Sequence, residues 1–127
     1  MQILKKIFFC LCAAALLYGL FRQTPPPQLF DQSDKFGHLA GFATMTFVGL
    51  WTVSRRFMTP FLIGLTLLGC SAEFIQQWLL AHRYFSLDDM YANLTGIAII
   101  ALPWLAWRVR QSFYSTSSNL QPSEKRP

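Results

Sequence analysis

The sequence predicts an all-α integral membrane bundle of four transmembrane helices, with the N-terminus and the C-terminus both cytoplasmic. Three observations carry this expectation. Of the 127 residues, 53% are apolar and 13% charged, where a soluble domain carries about 25% charged residues. Four apolar segments approach the length of about 20 residues that a membrane span needs. The Lys and Arg residues fall at the ends of those segments, as they do in membrane proteins. The net charge of +5 is thereby read as membrane topology, and no nucleic-acid partner is expected.

The first segment, roughly 3–21, reads ILKKIFFCLCAAALLYGLF. Its clean apolar part is short, so Lys5 and Lys6 are expected to snorkel to the interface. A signal peptide would be cut near Ala13-Ala14-Ala15. The apolar run instead continues through Leu16, Leu17, Leu20 and Phe21, which predicts an uncleaved anchor. The loop 22–35 holds Pro25-Pro26-Pro27, expected to be a stiff extended spacer. The second segment is 36–53, FGHLAGFATMTFVGLWTV, and the third is 57–81, FMTPFLIGLTLLGCSAEFIQQWLLA. Only a short turn at Arg55-Arg56 separates them, which predicts an antiparallel helical hairpin. The fourth is 90–107, MYANLTGIAIIALPWLAW. Trp51, Trp78, Trp104 and Trp107 stand near segment ends, where an aromatic belt would place them. Residues 1–110 thus read as one membrane domain. The polar, Ser-rich stretch 111–127 reads as a disordered cytoplasmic tail.

Charge sets the orientation. With the N-terminus inside, Lys5, Lys6, Arg55, Arg56, Arg108, Arg110, Lys125 and Arg126 are cytoplasmic, and only Arg22, Lys35 and Arg83 are outside. That is the positive-inside bias. The three cysteines, Cys10, Cys12 and Cys70, lie inside apolar stretches. An odd number so placed argues against a disulfide framework.

The polar residues of the last three segments gather toward the outer side. Asp34 and His38 are spaced i, i+4 and share a helix face, as do Asp89 and Asn93. Glu73 and Gln76 are spaced i, i+3, with Gln77 alongside. Gly37 and Gly41 permit close helix approach, and Gly96 follows Asn93. Glu73 lies deepest, about 12 Å inside the end of its segment at 1.5 Å per residue. A charged residue at mid-membrane costs on the order of 2.5–3.5 kcal/mol. Glu73 is therefore expected to face the bundle, either protonated or paired with Arg83 or His38. Ionisable residues within spans are functional-site candidates by default. Glu73, His38 and Asp89 offer a base, an acid and a positioning carboxylate, which makes them the candidate catalytic residues. Asp34, Lys35, Gln76, Arg83 and Asn93 are the candidate substrate-binding residues. The competing reading of the same residues is a buried network that fixes one packing arrangement.

No metal and no cofactor is expected from spacing, a metal site from His38, Glu73 and Asp89 being the minor alternative. The chain has no HExxH pattern, and its one other histidine is His82. Neither a Ser-His-Asp nucleophile motif nor a Gly-rich phosphate loop is present.

Read in order, Asp34-Lys35-x-x-His38, Glu73-x-x-Gln76, Arg83 and Asp89-x-x-x-Asn93-x-x-Gly96 resemble the VanZ-like family of small polytopic bacterial membrane proteins. The resemblance runs from about 34 to 100. It departs from the family at Ala81-His82-Arg83, where many members carry a proline before the arginine. It implies a bacterial inner-membrane (plasma-membrane) location and a cell-envelope role, the family's namesake being linked to teicoplanin resistance. It implies no reaction, so whether the chain is an enzyme stays open. The first expectation is a pocket that binds or processes a membrane lipid or lipid-linked envelope precursor. A non-catalytic scaffold and a small proton-coupled transport component are the alternatives, the latter requiring a homo-oligomer.

Overall fold

The computed structural model describes residues 1–24, 27, 30–81 and 83–119, with the side chains of 115–119 left aside. It is all-α, with four helices: α1 (Gln2–Phe21), α2 (Ser33–Thr52), α3 (Met58–Leu79) and α4 (Leu87–Asn119). A 3₁₀ turn, Arg55–Phe57, joins α2 to α3. Most of the expected proline spacer, His82 and residues 120–127 lie outside the described residues.

Three of the helical segments are long and apolar enough to cross a membrane: Gln2–Phe21, Arg55–Leu79 and Leu87–Tyr114. Their faces are turned outward, as only 6%, 28% and 22% of their spanning windows are buried. Leu4, Leu11, Leu67 and Leu102 are all exposed. Water would not tolerate so much contiguous apolar surface, so the arrangement is that of a multi-pass membrane protein.

The second expected span departs from this pattern. α2 has the 20 residues of a span but is not among the helices apolar enough to qualify on their own. Asp34, Lys35, His38 and its glycines and threonines dilute its hydropathy. Its position accounts for this, because α2 packs against each of the other three helices and most extensively against α4. A helix face that meets other helices rather than lipid can carry polar residues.

Gly96 permits the tightest of these approaches. A Cβ there would collide with the Leu39 carbonyl oxygen and the Ala43 nitrogen of α2, so backbone meets backbone at this crossing. The shared core comprises Leu20, Phe42, Met45, Leu65, Ala72, Ile97 and Ala101.

α4 also outruns its expected end. The helix continues through 111–119, a stretch whose composition predicts a disordered tail. The first turn of that extension carries an i, i+4 pair, with Arg110 stacked 5.6 Å from the Tyr114 ring centroid. Such pairs support an exposed helix. At its start, the Ser86 hydroxyl accepts the Asp89 backbone N–H at 3.2 Å. This is one half of a capping box, and it sets the register in which Asp89 and Asn93 turn inward.

Candidate functional site

All eight sequence-predicted residues come to one end of the bundle. That end is formed by the C-termini of α1 and α3 and the N-termini of α2 and α4. His38, Glu73, Gln76, Asp89 and Asn93 are buried there, with Arg83, Asp34 and Lys35 progressively nearer the surface.

Asn93, fully buried, organises the centre. Its Nδ2 donates to the Gly69 carbonyl of α3 at 3.1 Å, which fixes the amide orientation. Its Oδ1 lies 2.9 Å from His38 Nδ1 and must therefore accept, so Nδ1 carries the proton. A neutral His38 then keeps its lone pair on Nε2. Glu73 is only 1% exposed, and its Oε1 lies 3.7 Å from His38 Nδ1, too far for a hydrogen bond. That Oε1 has no hydrogen-bond partner among the described residues. Of the two partners expected near Glu73, His38 is the neighbour. Arg83 is held elsewhere, its Nη1 donating to Asp34 Oδ2 at 3.2 Å.

Gln76 faces α1. Its Nε2 donates to the Leu20 carbonyl at 2.8 Å, which satisfies an acceptor in the last turn of α1. At the rim, Lys35 Nζ donates to Asp88 Oδ2 at 2.6 Å. That hydrogen bond raises the Lys35 pKa above its ordinary value. Desolvation opposes the shift, and the charges of Asp88, Asp89 and Asp31 add to it. Lys35 is therefore a cation throughout the physiological range.

One ligand-capable atom from each of Asp34, His38 and Asp89 lies within 4.8 Å of the other two. Two carboxylates at that separation repel by roughly 3–4 kcal/mol at an effective dielectric near 20. Arg83 offsets this for Asp34. Asp89 is 7% exposed, and its carboxylate accepts no hydrogen bond among the described residues.

A groove of about 470 Å³ runs from this polar end between α1 and α2. Asp34, His38 and Arg22 stand at its mouth, and Ala15, Gly19, Gly37, Ala40 and Gly41 help to line it. A Cβ on Gly19 or Gly37 would meet nothing within 4 Å. The groove and Arg22 are absent from the sequence-derived site. Their signal is the small residues Cys12, Ala15 and Gly19, spaced three and four apart on one face of α1. Asp88 as the partner of Lys35 has no such signal, because the pairing crosses two helices.

No family model, curated protein or solved structure matches the chain.

Proposed function

We propose that the chain is a four-span protein of the bacterial inner membrane, with both termini cytoplasmic, whose outward-facing pocket binds an envelope lipid or lipid-linked precursor. α2 is the fourth span in this reading, its polar face turned toward its neighbours and Phe36, Phe47 and Trp51 left exposed. The tail of the lipid occupies the α1–α2 groove, and its headgroup meets Asp34, His38 and Arg22. The observation that supports this most directly is the continuity of an apolar groove with a buried polar cluster. Ligand sites combine apolar walls with a few convergent polar groups in this way. Glu73 and His38 are the groups able to handle a proton there. The resemblance to the VanZ-like family extends the proposal to teicoplanin-type resistance. Comparing glycopeptide susceptibility with and without the gene tests that extension.

A scaffold reading draws on a different observation. Gln76 and Asn93 both donate to backbone carbonyls of neighbouring helices, which is how polar residues bind helices together in membranes.

Native mass spectrometry of the detergent-extracted protein separates the two readings. A Cβ at Gly37 meets nothing within 4 Å, so Gly37→Leu adds bulk to the groove wall. The lipid reading expects a phospholipid-class or precursor-class adduct on the wild type that Gly37→Leu loses while remaining folded. An adduct retained by that variant, or a folded wild type without one, favours the scaffold.

A further inference from the structure

Asp34, His38 and Asp89 form a cluster with a chemistry of its own. Their ligand-capable atoms lie within 4.8 Å of one another. Zinc bonds to nitrogen and oxygen are about 2.0–2.2 Å, so sub-ångström side-chain shifts bring all three onto one ion. The histidine is prepared for this role. Asn93 engages its Nδ1–H and leaves the Nε2 lone pair available, as a hydrogen-bonded oxygen acceptor orients a metal-bound imidazole.

The carboxylates are prepared too. Arg83 engages Oδ2 of Asp34 and leaves Oδ1. Asp89 is more than nine-tenths buried, points an oxygen into the cluster and accepts no hydrogen bond among the described residues. A largely buried carboxylate that accepts no hydrogen bond gains from a nearby cation, and the space between Asp89, Asp34 and His38 admits one. With Arg83 counted, the cluster carries a single negative charge, which a divalent ion more than neutralises.

We propose that Asp34, His38 and Asp89 bind one divalent cation of the zinc class at the polar end of the α1–α2 groove. One imidazole and two carboxylates suit Zn²⁺ better than Mg²⁺ or Ca²⁺, which prefer oxygen alone. Three protein ligands leave a coordination position open. Where the lipid reading above holds, that position takes a phosphate oxygen of the headgroup, but the cation site itself does not depend on that reading.

The test titrates Zn²⁺ into the full chain, stripped with chelator and purified in detergent without added lipid. Cys10, Cys12 and Cys70 are replaced by Ser and His82 by Ala, to remove adventitious donors. Calorimetry is expected to show one saturable site per chain, with a rise in Tm. Asp89→Asn and Asp34→Asn each weaken binding by about tenfold or more, and Mg²⁺ fails to compete at equal concentration. A folded wild-type background without saturable Zn²⁺ binding overturns the proposal. So does undiminished binding by a folded Asp89→Asn or Asp34→Asn variant. Gly37→Leu is expected to keep the Zn²⁺ site, so loss of the lipid adduct and loss of the cation site are read separately.

Discussion

The two ends of the bundle treat charge in opposite ways. At the end holding Glu73, charged and polar side chains are paired between different elements. Lys35 meets Asp88, Arg83 meets Asp34 and His38 meets Asn93. At the end holding the α2–α3 turn, cations rest on aromatic rings. Lys5 lies 4.6 Å from the Trp51 ring centroid, Arg56 lies 4.5 Å from Phe57 and Arg108 lies 4.9 Å from Trp104. The first arrangement commits polar groups to particular neighbours, with His38 and Asn93 buried and Lys35 and Asp88 at the rim. The second keeps charge at the periphery, where rings and cations anchor helices at a headgroup layer. Buried, geometrically committed groups can perform chemistry on a ligand, whereas peripheral ones set depth and orientation.

Substituting the same residue at each end gives the largest expected contrast. Gly96→Ala drives a methyl group into the α2 backbone and is expected to cost about 3 kcal/mol or more, beyond ordinary overpacking. Gly49→Ala meets only the Phe61 ring, a side chain that can turn, and should cost nearer 1 kcal/mol. Reversible unfolding in mixed micelles measures both, and equal costs would erase the distinction.

Next in size is Asn93→Leu. It strands the Nδ1–H of His38, removes the second hydrogen bond to the helical carbonyl of Gly69 and is expected to destabilise by about 1–2 kcal/mol. The same unfolding assay checks it, and a neutral result would mean that water or lipid already satisfies those groups. At the opposite end, Trp51→Leu removes the ring beneath Lys5 and beside Phe8. Its expected cost is about 0.5–1 kcal/mol. A cost above that of Asn93→Leu would reverse the ranking of the two ends.

The smallest effect is a gain. Gln32 precedes α2 with a left-handed backbone, φ 65° and ψ 17°, which costs a non-glycine residue about 1–2 kcal/mol. Gln32→Gly should raise stability by a few tenths of a kcal/mol, once glycine's greater unfolded-state freedom is subtracted. Thermal unfolding reads this as a small rise in Tm.

Much of this was legible in the sequence, for physical reasons that can be traced residue by residue. The period of the helix places Asp34 with His38 and Asp89 with Asn93 on common faces. The cost of a membrane carboxylate turns Glu73 toward the bundle, where the structure puts it. Spacing says nothing about which face meets which helix, so the choice of His38 over Arg83 beside Glu73 was left open. The length of α4 was hidden because serine-rich composition reads as disorder, while the Arg110–Tyr114 pair that supports its extension is a local effect. The modest hydropathy of α2 is visible in its residues but acquires meaning only once α1, α3 and α4 surround it. The groove escaped notice because α1 reads as a plain anchor until α2 lies beside it.

The Gln76–Leu20 hydrogen bond links residues 56 positions apart. A ribosome adding 5–20 residues per second takes about 3–11 seconds to cover that stretch. During this interval the last-turn carbonyl of α1 has no Gln76 amide to accept from, and α2 is the one other helix α1 can pack against. The mean hydropathy of 1.9 in α1, against 1.5 and 1.4 for the two later segments, equips it for that wait. The α1–α2 groove, lined only by residues between Cys12 and Met45, needs just the first two helices, so it can form before Gln76 ties α1 to α3.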